Sequence, residues 1–182
     1  MADKTKENKI TKILEDLNST DSKKVTKAVK SLEAHGDVSF IKPLADKLMA
    51  GVSEKNKTEI IELLSSLKDT SVCADVMDII EDKHYLPIRQ TVLSTIWNTK
   101  VDFSDYIDDF VLIATTGTFL ETLDCLTIIE NLEGPFMEEN ILECQLHLKN
   151  YIESNPPRDE QKAELLSEIA IAIKDFNENL QE

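Results

Sequence analysis

Glycine and proline are scarce in this 182-residue chain, at 4 and 5. So few chain-reversing residues argue against a fold of many tight turns, and the abundance of Leu, Ile, Glu and Lys favours helices throughout. Aromatic residues are only 5%. The three cysteines, Cys73, Cys125 and Cys144, are odd in number and widely spaced, which argues against a disulfide framework and suits reduced thiols in a cytoplasmic protein. No apolar run nears the ~20 residues needed to cross a bilayer. The opening MADKTKENK lacks the apolar stretch of a signal peptide. A cytoplasmic location, away from membranes, is the expectation.

Positive charge is also in short supply. Twenty Lys and Arg against 35 Asp and Glu leave a net −15, which opposes nonspecific affinity for nucleic acid or anionic membrane. The deficit is uneven: residues 1–57 balance at +3 and residues 58–182 at −18, and between Val101 and Leu148 there are 11 acids and no Lys or Arg. The hydrophobic share, 41%, is far above that of a disordered chain, and the length suffices for a sizeable core.

That apolar content recurs at helical spacing. Ile10, Ile13, Leu14 and Leu17 mark a first amphipathic helix, and Val25, Ala28, Val29 and Leu32 a second, capped by Asp21 or Ser22 and stopping at His35-Gly36. Asp37 or Ser39 opens a third with Ile41, Leu44, Ala45 and Leu48, and Ser53 caps a fourth with Ile60, Leu63, Leu64 and Leu67. The same four-residue spacing returns as Arg89/Val92/Leu93/Ile96, Cys125/Ile128/Ile129/Leu132 and Ile169/Ala172/Ile173/Phe176. One helix lies between successive copies: Val72–Glu81, Ser104–Thr115 and Glu138–Glu153. Pro87 opens the central helix, Leu86 to Asn98, with Trp97 read as core beside Ile96. Thr118 and Glu121 form a capping box, and Gly134-Pro135 and Asn155-Pro156-Pro157 break the chain near its end. Ten helices in five antiparallel pairs follow, over roughly 7–36, 37–69, 70–100, 102–133 and 136–178, as one domain spanning 1–182.

The stretch VMDIIEDKHYLPIRQTVLSTI, Val76–Ile96, resembles a HEAT repeat: an apolar first helix, an acidic turn at Asp82, then Ile88-Arg89 opening the second helix. The resemblance extends over roughly the whole chain. It implies an all-α fold, a right-handed α-α superhelix (an α-solenoid), and an Asp–Arg pairing between adjacent repeats. At the position of Arg89 the other copies carry Val25, Ile60, Cys125 and Ile169, so a polar ladder is not expected to run the length of the stack.

Candidate chemistry is thin. Cys144 and His147 stand one helical turn apart and Cys125 is a third donor, but zinc normally takes four ligands, and no metal or cofactor is expected. Asp105, Asp108 and Asp109, with Glu138, Glu139 and Glu143 near them, read as a solvated acidic face; no Asp-rich calcium loop is present. His35 reads as a helix-end cap and His84 as a surface residue in a turn. No nucleophile–base spacing, phosphate loop or paired-Cys motif is present, and the reading is that the chain is not an enzyme.

The expected function is a noncatalytic scaffold that binds a protein or peptide on the concave face of a short solenoid. The second helix of each pair lines that face. Its outward positions run from Lys27 and Lys30 through Gln90, Ser94 and Asn98 to Glu121, Asp124 and Glu130, which favours a basic partner segment along 101–148. The alternative is a small metal- or cofactor-binding helical enzyme using the acidic cluster and the Cys/His residues.

Overall fold

The computed structural model describes residues 2–35, 40–154 and 159–180. Within them the only regular secondary structure is helical. The chain divides into two compact units, 1–100 and 101–182.

The first unit holds α1 (Ala2–Leu17), α2 (Ser22–His35), α3 (Ile41–Met49), α4 (Glu54–Ser65), α5 (Cys73–Glu81) and α6 (Leu86–Ile96). Their starts follow local chemistry. The Asp21 carboxylate accepts the Lys23 N–H at 2.9 Å ahead of α2, and the Ser53 hydroxyl accepts the Asn56 N–H at 3.3 Å to cap α4. A 3-10 turn at Thr70–Val72 precedes α5, with Asp69 taking the Ser71 N–H, so the helix begins at Cys73 and not at Val72. A second such turn, Lys83–Tyr85, is capped by Asp82 through the His84 N–H at 2.8 Å and leads straight into Pro87 at the start of α6. The proposed starts of α3 at Asp37 or Ser39 lie outside the described residues.

Packing alternates along the chain. α1 rests on α3 and α3 on α5, while α2 rests on α4 and α4 on α6. The apolar sets predicted from spacing supply the contact: Val25, Ala28, Val29 and Leu32 are all buried, as are Ile60, Leu64, Val92, Leu93 and Ile96. Leu67 falls beyond the end of α4 and is half-buried. Trp97 corrects the expectation of a core residue. It sits past the end of α6 and is 45% exposed, because the helix closes one residue earlier and the inward stripe ends with Ile96.

The second unit holds α7 (Ile107–Thr116), α8 (Phe119–Glu130), α9 (Glu138–Glu153) and α10 (Glu160–Asn179). α7 begins three residues after the expected Ser104, because Ser104–Tyr106 forms another 3-10 turn. The capping box is in place. Thr118 Oγ1 accepts the Glu121 N–H at 3.3 Å, and a Glu121 carboxylate oxygen accepts the Thr118 N–H at 2.7 Å. α7 packs on α9 and α8 on α10, around Phe103, Ile107, Phe110, Val111, Cys125, Ile128, Ile141, Cys144 and Ile169. Gly117, in the turn from α7 to α8, has no room for a side chain: a Cβ there would lie 2.7 Å from both the Glu121 carboxylate and the Ile113 carbonyl oxygen.

Candidate functional site

Where the fold buries polar groups, it does so by bonding them. The densest example joins α2 to α4. Asn56, 2% exposed, accepts hydrogen bonds from Ser22 Oγ (2.7 Å) and Ser53 Oγ (2.9 Å), and its amide nitrogen lies within donating reach of the Ser22 carbonyl, Thr26 Oγ1 and Glu59 Oε2 at 3.0–3.2 Å. Thr26 donates to the same Glu59 oxygen at 2.7 Å. Burial works against the Glu59 charge, yet these hydrogen bonds, with Lys55 and Lys30 nearby, hold its carboxyl below the ordinary value. Lys30, expected on an outward face, thus acts electrostatically on this network.

A second cluster ties α3 to the start of α6. The phenol of Tyr85, 1% exposed, donates to Asp46 Oδ1 at 2.5 Å and accepts from Lys42 Nζ at 2.8 Å. Burial, and then the bond to the Asp46 carboxylate, pushes the phenol pKa up, the opposite of what a phenolate nucleophile needs.

Two lysines are used as helix-end caps. Lys47, almost fully buried, donates to the Ser19 carbonyl beyond α1 at 2.9 Å. Lys162 donates to the carbonyls of Thr115 (3.0 Å) and Gly117 (2.6 Å), which close α7, and lies over the Tyr151 ring at 5.7 Å. Burial lowers its pKa, opposed by the charges of Asp159 and Glu121.

The expected partner-binding residues are spread over several helices. Lys27 and Lys30 are exposed on α2; Gln90 and Ser94 are half-buried on α6; Asn98 is exposed in the turn after it. On α8, Glu130 is exposed and Asp124 half-buried. Glu121 requires a correction. It is 5% exposed, because its carboxylate turns back onto the Thr118 N–H in the capping box, so it is not an outward position.

Cys125 and Cys144 are fully buried. Burial, with Asp108, Asp109 and Glu143 close by, pushes the Cys144 thiol up to about 12, so it is a protonated core residue at neutral pH. The effect of Asp108 and Asp109 on Cys144 places this thiol of α9 against the acidic start of α7. Asn140 also bridges the two, donating to the Asp105 carbonyl at 2.7 Å. Among the described residues, no group of three or more His, Cys, Asp or Glu is arranged to hold a metal ion.

One surface was not visible in the sequence. Between α9 and α10 lies an open groove of about 390 Å³, with Leu148, Ile152, Ala170 and Ile173 as its apolar lining and Lys149 and Lys174 at its edges. Ile152 is 73% exposed. Helical spacing marks Ile152 as an inward residue, since it continues the Ile141–Leu148 stripe; only the missing neighbour makes it a surface one.

No family model, curated protein or solved structure matches this chain. All of the net charge lies in one unit: residues 1–100 carry 16 acids and 16 bases, and residues 101–182 carry 19 acids and 4 bases, a balance of −15. Large apolar side chains are exposed in the same unit. Among the described residues, Leu112, Leu120, Leu123, Met137, Leu142, Leu146, Ile152, Ile171 and Leu180 lie in 101–182, against Leu86 and Trp97 in 1–100. Among the described residues, no helix is long and apolar enough to cross a membrane.

Proposed function

We propose that this chain is a noncatalytic helical-repeat protein that binds a protein or peptide, and that residues 101–182 receive a basic segment of that partner. Two kinds of packing support the repeat reading. Alternate helices stack in each unit, α1–α3–α5 beside α2–α4–α6 in the first, and α7–α9 beside α8–α10 in the second, as helix pairs do in a HEAT-like right-handed solenoid. The buried network at Asn56 then bonds the second helix of one pair to the second helix of the next.

The observation that carries the binding role is the pairing of −15 with nine exposed large apolar side chains in one 82-residue unit. Acidity alone serves solubility, and exposed leucines occur singly on any surface. Together they favour a ligand that is both cationic and apolar. On α8, Asp124 and Glu130 belong to the receiving surface; Glu121 does not.

The test is reconstitution. A partner captured by cross-linking in cells is purified and titrated against the whole chain by calorimetry. A stoichiometric complex that weakens about tenfold as salt rises well past the Debye regime of ~8 Å supports the reading. Changing Asp124 and Glu130 to their amides should mimic part of that loss. A complex indifferent to salt, or no complex with any captured protein, would refute it, and stoichiometric metal in the purified chain would favour the enzyme class instead.

A further inference from the structure

We propose that the lysine stripe of α2 docks an acidic segment of a partner protein. The site lies in the first unit and does not depend on the acidic surface proposed above. α2 reads SKKVTKAVKSLEAH, and Lys23, Lys24, Lys27 and Lys30 are all exposed. Lys23, Lys27 and Lys30 follow at i, i+4 and i+7, so they share one face, with Lys24 beside it. Opposite that face Val25, Ala28, Val29 and Leu32 are buried. From Lys23 to Lys30 the stripe runs about 10 Å, close to the ~8 Å screening length at physiological ionic strength, so its charges act together.

The helix does not balance these charges itself. No acid stands between Asp21 and Glu33, and the positions four residues after the lysines are Lys27, Ala28, Ser31 and Ala34. Lysines on other helices meet a glutamate at that spacing: Lys55 and Glu59 at 3.7 Å, Lys149 and Glu153 at 3.8 Å, Lys174 and Glu178 at 3.6 Å. Glu59 of α4 feels the charge of Lys30, but its oxygens are engaged by Thr26, Asn56 and Lys55. Like charges one turn apart repel, and Lys23 and Lys24 sit at the positive end of the helix dipole. α2 therefore carries an arrangement that opposes its own helix and is held in place by the buried apolar face. A local rule broken with no compensation inside the fold points to a surface kept for a ligand.

Chemistry around the stripe selects the occupant. Nucleic acid is held by bases stacked on aromatic rings and by the guanidinium fork of arginine, and α2 and its neighbours α1 and α4 contain no aromatic residue and no arginine. A membrane surface takes up a basic helix through apolar side chains beside the lysines, whereas the apolar face of α2 is buried in the core. A second copy brings a net −15 against −15, which repels at long range. A carboxylate-rich protein segment needs only point charges in a row, and these the stripe supplies.

The experiment uses the whole chain and two labelled synthetic peptides of about 12 residues, long enough to cross the stripe. One alternates glutamate with serine, and the other has glutamine in place of each glutamate. Binding is read by fluorescence anisotropy at low salt. The glutamate peptide should bind at least about tenfold more tightly than the glutamine peptide, and rising salt should erase most of that difference. Lys27→Gln with Lys30→Gln should weaken it about tenfold. Lys149→Gln with Lys174→Gln changes the net charge equally from the second unit and should leave binding within about twofold. Melting supplies a readout that a structural role would move the other way. With the repulsion along α2 relieved, the Lys27→Gln, Lys30→Gln protein should melt no lower than the parent.

Equal losses from the two pairs of substitutions would overturn the stripe, because net charge alone would then explain the binding. No binding of the glutamate peptide at low salt would overturn it as well. So would a lowered melting temperature of the Lys27→Gln, Lys30→Gln protein, which would make the lysines part of the fold's own electrostatics. A thymidine oligonucleotide or a vesicle of anionic phospholipid that binds more tightly than the glutamate peptide, and is lost with the same two substitutions, would give the stripe to another class of ligand. A dimer of the chain that those substitutions dissociate would give it to a second copy, and either result overturns the proposal. The acidic unit is tested separately by its own partner, so failure of the stripe leaves that reading standing.

Discussion

Replacing Asn56 by Asp tests the α2–α4 seam without changing side-chain volume. The retained oxygen still accepts from Ser22 and Ser53. The new one replaces an amide nitrogen that stood 3.0 Å from Glu59 Oε2 and 3.2 Å from the Ser22 carbonyl oxygen. The carbonyl loses its donor, at about 1–3 kcal/mol. Two carboxylates about 3 Å apart repel by roughly 5 kcal/mol at an effective dielectric near 20, reduced by the partial exposure of Glu59. A loss of about 3–6 kcal/mol follows, a large share of the ~5–15 kcal/mol of a typical fold. The sign with pH is fixed. Repulsion raises the carboxyl pKa in the folded state, so the stability is present at low pH and is lost as pH rises through that raised value. Urea unfolding followed by far-UV circular dichroism should therefore show Asn56→Asp recovering as pH falls through the carboxylate range. Adding Glu59→Gln, which returns an amide donor, should restore much of the loss at neutral pH. An Asn56→Asp protein within ~0.5 kcal/mol of the parent, or one that Glu59→Gln does not help, would refute the account of the seam.

Other expectations are simpler to state. Leu93→Ala, at a site with no exposed surface, should cost about 2–5 kcal/mol, and unchanged unfolding would contradict the packing of α4 against α6. The Cys144 thiol is pushed up to about 12 from 9.0, so its contribution is complete below pH 9 and fades as pH rises toward 12, with a slope of at most ~1.4 kcal/mol per pH unit. Unfolding measured across that range should flatten in Cys144→Ala; an unaltered slope would count against the buried, protonated thiol. Glu121→Ala should lower stability by about 0.5–2 kcal/mol through the lost capping box and leave association with a basic peptide unchanged. A selective loss of binding would return Glu121 to the partner surface.

Helix positions were legible in the sequence because a stripe such as Val25, Ala28, Val29 and Leu32 needs only one helix to be recognised, and all four are buried. Helix ends were less so. Val72 and Ser104 fit the helical spacing, yet both lie in 3-10 turns whose tighter winding leaves no trace in periodicity. Nothing in the sequence singles out Asn56, since its partners Ser22 and Thr26 lie 34 and 30 residues back. Long side chains escaped for a similar reason: Lys162 reaches carbonyls 45 and 47 residues earlier, and nothing local marks it as a capping residue. Glu121 carried two signals, an acid of an outward helix face and the last member of a capping box, and the local hydrogen bond prevailed over the surface role.

Lys47 and Lys162, whose ammonium groups sit on the carbonyls of Ser19 and of Thr115 and Gly117, divide the amines of this protein into two chemical populations. Acylating reagents attack the neutral amine and need an approach path, which Lys27, Lys30, Lys149 and Lys174 offer on the surface. Lys47, almost fully buried on the Ser19 carbonyl, has to wait until the turn it holds has come apart. Once acylated it cannot resume its charge, so that turn cannot close on the same contact. Lys162 is only half-buried and its pKa is lowered, so its neutral amine meets the reagent earlier. Peptide mapping of the order in which lysines acquire the label would thus time the opening of the α1–α2 turn, with Lys47 as its built-in reporter.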